Sequence, residues 1–399
     1  MSSPISEEPS EPPLFNRGFA LILATQLAFG FSFSSFFLLP KFVVTELLGT
    51  PSQVGYVGAL SVLSAVLISP LCGKLLDRGR RRPLIVLGCA LSGLVALPYI
   101  AVHEVGALLY GLRLAQGISY TLYFVGVTTL VADLAPAARL GQALGWIGCA
   151  GLVMNAVATL VAERIAQAYS WNAVFITAAV SGLLGTLLSL RLPEPESQAI
   201  SKRAALAMPR AAASAPRAFG RWPVLWAAAA GGAGFGALFT FAQPLALSLG
   251  DTNVSALFAG YTVAALFVRL AFGNMADRFG RARVGGVALG LYTLVVATTA
   301  GLARGWLGPV GLLFGLAHGA FYPSMNALAL EGVARETRGS VGAYFNAAFN
   351  AGVLLVTFAL GHVAQIYGYR IVFLLVAGLT VSGLFALLRQ MRAFVPRAS

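Results

Sequence analysis

Charge is scarce in this chain of 399 residues: only 10% are Asp, Glu, Lys or Arg, where soluble domains carry about a quarter. Acid is scarcer than base, with 14 Asp and Glu against 27 Lys and Arg. Cysteine is scarcer still. Cys72, Cys89 and Cys149 show no CxxC spacing and no clustered histidine, so they read as packing residues and exclude a disulfide framework or a metal centre. No GxxxxGKS loop is present, which argues against ATP hydrolysis. No nucleophile, base and orienting group cluster in the sequence, so no catalytic residue, cofactor or enzymatic activity is expected. The opening segment holds Glu7, Glu8 and Glu11 among prolines, the opposite of a basic, cleavable signal.

Apolar sequence fills the space that charge leaves. Hydrophobic residues make up 58% of the chain and the mean hydropathy is +0.81. The apolar runs recur at about 20 residues, the length that crosses a bilayer core as a helix, roughly twice that of a barrel strand. Helices are predicted near 18–39, 54–76, 83–102, 106–131, 141–163 and 172–191, then near 222–248, 254–275, 283–303, 306–331, 340–363 and 370–390. The implied organisation is a disordered tail (1–17), a six-helix bundle (18–191), a Pro-, Ala-, Ser- and Arg-rich linker (192–221), a second six-helix bundle (222–390) and a basic tail (391–399). The fold class is therefore an all-α membrane protein with twelve transmembrane helices in two pseudo-symmetric bundles. On that topology 21 Lys and Arg fall on the side of the termini, four (Lys41, Arg164, Arg304 and Arg370) on the other side, and two (Arg113 and Arg269) inside helices. The positive-inside rule then explains the formal charge of +13 without nucleic acid and places both termini in the cytoplasm.

The duplication is visible in a charged loop. Gly73 to Leu84, GKLLDRGRRRPL, is echoed by Gly273 to Val284, GNMADRFGRARV, and the aspartates Asp77 and Asp277 stand 200 residues apart. A second pair, TLVADLAPAARLGQ (129–142) and LALEGVARETRGSV (328–341), sets Asp133 over Glu331 at a spacing of 198. Gly73 and Asp77, like Gly273 and Asp277, are four apart and are expected to share a helix face, the glycine allowing close helix approach. A carboxylate at a helix C-terminus is disfavoured by the dipole, so Asp77 is expected to need a partner from outside its helix.

With these motifs, LFNRGF before helix 1, RLAQG in helix 4 and GYRIVFLL at helix 12, the chain resembles a major facilitator superfamily transporter of the bacterial twelve-helix drug-efflux and sugar-efflux-like branch. The resemblance implies alternating access between two bundles in the bacterial inner membrane. It also implies a latch at the cytoplasmic face, in which Gly73, Asp77, Arg81 and Asp133, and in the second copy Gly273, Asp277, Arg278, Arg281 and Glu331, favour one state. The first copy departs from the family pattern, with Arg80 where glycine is usual three residues after the aspartate.

Ionisable groups inside the membrane are functional candidates by default. Arg113 lies about 10 Å from the outer end of helix 4, deep enough for a site yet within reach of snorkelling. The resemblance implies substrate or proton coupling for Arg113 with Gln116. His318 falls near mid-membrane, where its ordinary pKa suits a proton carrier and where a packing histidine fits equally. Arg269, four residues before Gly273, reads as structural. No acid falls at mid-membrane, and helix 1 offers only Gln26 with Ser32, Ser34 and Ser35. The candidate proton carriers are therefore His318, a latch carboxylate or Glu163. Tyr120, Tyr123, Asn155, Gln243, Tyr322, Asn326, Asn346 and Asn350 are candidate cavity-lining residues, each with helix–helix hydrogen bonding as the alternative. Helix 5 lacks the Gly-Pro element of drug antiporters. Proton-coupled export of a small organic molecule leads, with uptake or exchange of a small metabolite and a non-transporting receptor as alternatives. The expected partners are that molecule, protons and the bilayer; the sequence carries no signal of oligomeric state.

Overall fold

The computed structural model describes residues 14–76, 81–136, 139–194, 221–273, 275–334 and 337–394. Residues 1–13 of the expected N-terminal tail, most of the linker and Asp77 lie outside these residues.

Twelve long helices run through the described residues. They are α1 (Arg17–Thr45), α2 (Pro51–Leu76), α3 (Arg81–Ala101), α4 (Ala107–Leu134), α5 (Leu140–Ala168), α6 (Trp171–Ser189), α7 (Trp222–Ser248), α8 (Ser255–Ala271), α9 (Arg281–Ala300), α10 (Leu307–Leu330), α11 (Arg338–Tyr367) and α12 (Tyr369–Phe394). Ten are long and apolar enough to cross a membrane on their own composition, and α8 is shorter, at 17 residues. The Asn16 side chain starts α1 by accepting the Phe19 N–H at 2.9 Å, satisfying one of the free donors of a helix N-terminus.

The packing repeats with the sequence. In the first half α1 packs on α5 and α6, α4 on α2 and α3, and α3 on α6. In the second half α7 packs on α11 and α12, α10 on α8 and α9, and α9 on α12. Each helix of one half thus has a counterpart with the same neighbours. The halves meet through α2 with α11 and α5 with α8, again a symmetric pair of contacts.

Helix α5 runs five residues past its expected end, to Ala168, and two other boundary differences bear on the site. Helix α1 continues past residue 39 to Thr45, because a 3-10 turn over Ser35–Leu38 places Pro40 at the start of a new helical segment, where its missing N–H costs nothing. Helix α8 stops at Ala271, and a separate turn of helix, Met275–Phe279, carries Asp277. Gly273 and Asp277 therefore do not share a face of α8. Asp277 sits in the first turn of the short helix, on the favourable side of its dipole.

Candidate functional site

With twelve crossings, both described ends of the chain lie on one face, here the terminal face. The opposite face is sealed. Lys41 at the end of α1 pairs with Glu163 near the end of α5 at 2.5 Å, and both are buried. Both then reach the second half: Lys41 Nζ donates to the Thr252 carbonyl at 2.6 Å, and the Glu163 carboxylate accepts the backbone N–H groups of Val254 (3.1 Å) and Ser255 (2.8 Å) at the N-terminus of α8. That terminus favours a negative charge. On the other side of the pseudo-symmetry axis, a Cβ built on Gly55 of α2 would lie 2.3 Å from the Thr357 carbonyl of α11. The absence of a side chain at Gly55 lets the two backbones touch. Tyr56 and His362 hydrogen bond across the same contact at 2.6 Å.

Among the described residues the terminal face is open: a Cβ at Gly73, Gly141, Gly145 or Gly339 would meet none of their atoms within 4 Å. The close helix approach expected at Gly73 is therefore not made in this conformation.

Between the sealed face and the open one, the first half presents Arg113. The RLAQG sequence explains its position: a Cβ on Gly117 would fall 2.0 Å from the Ser61 carbonyl, so only glycine lets α4 press this closely on α2. Arg113 Nε then donates to the Val57 carbonyl at 2.7 Å, one terminal nitrogen to Ser61 Oγ at 2.6 Å, and the other to Gln116 Oε1 at 2.6 Å. Tyr99 also donates to Gln116 Oε1, at 2.9 Å. Every acceptor is neutral. The ion pairs among the described residues are Lys41–Glu163, Arg81–Asp133 and Arg281–Asp277, and none includes Arg113. Arg113 lines a pocket of about 120 Å³ between the halves, walled by Phe36, Phe37 and Ser61 on one side and Phe235, Phe239 and Thr240 on the other.

The second half presents His318 within rings. Phe235, Phe314, Tyr261, Tyr322 and Phe349 have ring centroids 5.0 to 5.9 Å from it, and Tyr292 Oη lies 3.3 Å from Nδ1. Phe235 stacks on Phe239 at 4.2 Å, and Phe239 meets Phe37 of the first half edge-on at 5.5 Å. An aromatic path thus links His318 to the Arg113 pocket.

The remaining predicted lining residues divide into bonded and unbonded. Tyr123 donates to Gln26 Oε1 at 2.9 Å, Ser34 to Asn155 Oδ1 at 2.9 Å, and Tyr322 to Asn346 Oδ1. Gln243 donates to the Phe37 carbonyl at 2.8 Å, another link between halves. Asn326 and Asn350 are half-buried, with no side-chain hydrogen bond to a described residue. Tyr120 stacks on Phe33 at 4.9 Å.

The predicted latch residues form two unlike clusters, each within its own half. In the first, Arg81 Nε binds Asp133 Oδ2 at 3.0 Å, a terminal nitrogen donates to the Leu76 carbonyl, and the Arg81 backbone N–H donates to Glu194 at 2.9 Å. In the second, Arg281 turns to Asp277 at 3.2 Å instead of to Glu331, the counterpart of Asp133. Glu331 and Arg278 are exposed, and the Glu331 backbone carbonyl is held by Arg221 at 2.5 Å. Arg221 also binds the Leu328 and Ala329 carbonyls, capping α10. The sequence reading missed Arg221, Tyr99 and the pairing of Lys41 with Glu163. The signal for the last was the presence of opposite charges at the same ends of two helices.

The sequence model of the Major Facilitator Superfamily matches residues 21–252 and 241–398. Over 366 residues, 84% of the chain, the sequence is 24% identical to Multi-drug resistance efflux pump PmrA of Streptococcus pneumoniae, 86% of which is covered. A shorter match of 154 residues is 27% identical to Multidrug resistance protein 1 of Bacillus subtilis and covers 39% of each chain. The crystal structure of nucleoside transporter NupG superposes with a TM-score of 0.71 at 15% identity, covering 94% of this chain and all of that one, a likeness of fold alone.

Proposed function

The chain belongs to the major facilitator superfamily, and from that membership we propose that it exports a small organic molecule across the bacterial inner membrane in exchange for protons. The 21 basic residues on the terminal face make that face cytoplasmic under the positive-inside rule. In the conformation described, the central chamber is then sealed from the outside and open to the cytoplasm, ready to take substrate from within.

Arg113 carries the reading. It is held by neutral groups only, at the wall of a pocket that both halves build and whose other lining residues are aromatic, aliphatic or hydroxyl-bearing. A half-buried guanidinium without a counter-charge is costly, so the site gains from a substrate that brings partial or full negative charge beside a flat apolar body. Alternating access requires that substrate and protons bind the two states unequally, and groups at the interface of the halves satisfy that condition. Substrate would enter beside Gln26, Tyr123, Tyr322 and Asn346, with Asn155, Asn326 and Asn350 around them. Proton exchange is assigned to His318 or to a carboxylate: Glu163 at the outer seal, or Asp77 or Asp133 at the cytoplasmic latch. Export is the direction favoured by the names of the relatives, multidrug resistance and efflux proteins.

Uptake or exchange is the second reading, and one observation favours it: among the described residues, no acid lines the Arg113 pocket. Proteoliposomes with an imposed pH gradient and a panel of planar organic anions, cations and neutral compounds separate the two. Substrate-dependent proton movement, abolished by Arg113→Gln, is the expected result. Transport of a panel compound without proton movement would overturn proton coupling.

A further inference from the structure

Helices α5 and α8 belong to different halves and touch where Thr262 Oγ1 donates to the Leu152 carbonyl at 3.0 Å. From that contact toward the terminal face they part, leaving a crevice of about 850 Å³. That volume lies within the range of about 300–1,000 Å³ typical of small-molecule sites. Trp146, Val153, Leu266 and Phe272 give it apolar walls, and Arg269 is a cation among them.

Arg269 reaches across the crevice from α8 to α5, where a Cβ on Gly148 would lie 3.0 Å from one of its terminal nitrogens. Among the described residues its Nε is buried without a hydrogen-bond partner, and it belongs to none of the three ion pairs. A structural arginine would be expected to satisfy these groups; this one does not. A second cavity of about 390 Å³, apolar apart from Arg283, shares Val268, Phe272, Met275 and Val284 with the crevice and so continues it between α8, α9 and α10. An uncompensated cation therefore stands at one end of a long apolar channel. Trp146 and Leu270 on the crevice walls are 46% and 78% exposed, as side chains facing lipid are.

We infer that the α5–α8 crevice binds a single-chain amphipathic anion, with its head group on Arg269 and its alkyl chain in the apolar channel beyond Phe272. An acid group would satisfy the buried Nε and neutralise the guanidinium, while the chain would displace no polar contact. The site is separate from the Arg113 pocket and does not depend on the transport reading.

The test uses full-length protein in phosphatidylcholine nanodiscs and 2-bromododecanoate, whose bromine, beside the head group, quenches a nearby tryptophan. Saturable quenching is expected in the wild type and is expected to disappear in Trp146→Phe. Arg269→Gln should raise the half-saturating concentration at least tenfold and Arg269→Lys should do so less, while Arg113→Gln should leave it unchanged. Uncharged 2-bromododecanol should give only the linear quenching of bilayer partitioning. Unchanged saturation in Arg269→Gln, saturation by the alcohol, or loss in Arg113→Gln would each overturn the site. The origin of the anion is read by competition: displacement by lysophosphatidylglycerol but not by lysophosphatidylcholine is expected for a lipid, and displacement by dodecanoate alone for a free acid. Equal displacement by both lysolipids would overturn the role of charge.

Discussion

Glu163 Oε2 lies 2.8 Å from the backbone nitrogen of Ser255, so a side chain of the first half caps the first helix turn of the second. The same carboxylate holds Lys41, and both side chains are at most 9% exposed. Removing one partner of a buried pair leaves the other uncompensated, at about 3–5 kcal/mol. Glu163→Gln is expected to keep one acceptor for the α8 terminus but to strand Lys41, and so to depopulate the state sealed on this face. Spin labels at Leu48 and Tyr367, both exposed at the sealed face, should report a longer distance in the variant by pulsed electron resonance. An unchanged distance distribution would show that the bridge does not control the seal.

Gly55 tests the same seal through packing. Its absent Cβ would fall 2.3 Å from a backbone carbonyl, Thr357 O, which cannot rotate away. Gly55→Ala should cost the sealed state about 1–3 kcal/mol, the usual range for overpacking. The same label pair should show a shift toward the open distance, smaller than for a bulkier side chain at this position. Gly73→Ala is the control, since a Cβ there meets open space in this state.

Arg113 uses three separate nitrogens on three acceptors, a geometry that a lysine ammonium on its flexible stem does not reproduce. Arg113→Lys is expected to keep charge and membrane abundance but to lower substrate transport at least tenfold, about 1.4 kcal/mol in transition-state stabilisation. Transport within twofold of wild type would reduce Arg113 to a snorkelling residue.

How far these features could be read from sequence depends on their range. The twelve helices and the internal repeat are legible because apolar runs and the paired loop motifs are local patterns, whereas Arg113 and Gln116 are grouped in sequence only by the family resemblance, and their hydrogen bond follows from residues three apart sharing a helix face. The ring cluster around His318 draws on α7, α8, α9, α10 and α11, and no local spacing signals such a convergence. The end of α8 before Gly273 was also hidden, since the sequence on both sides of the break favours helix. The motif context of Arg269 reads as structural, and only its Nε, unpartnered among the described residues, separates that reading from a site.

The two copies of the loop motif should respond unequally to the same change. Arg81 and Asp133 are 8% and 17% exposed, and Arg81 is further tied to Leu76 and Glu194, joining the ends of α2, α3, α4 and α6. Asp277 and Arg281 are 67% and 35% exposed, four residues apart, with no link in this state to Glu331. Charged hydrogen bonds removed from a buried cluster cost about 1.5–3 kcal/mol, whereas an exposed pair four residues apart contributes about 0.3–0.5 kcal/mol. Asp133→Asn should therefore lower the thermal unfolding midpoint of the purified protein clearly, and Asp277→Asn should leave it almost unchanged. If the second copy acts as a latch, it must do so in the state closed on the terminal face, so Asp277→Asn should slow transport while sparing stability. Equal destabilisation by the two substitutions would mean that the exposed pair is buried in the populated state. That result would place the protein in solution on the other side of its cycle.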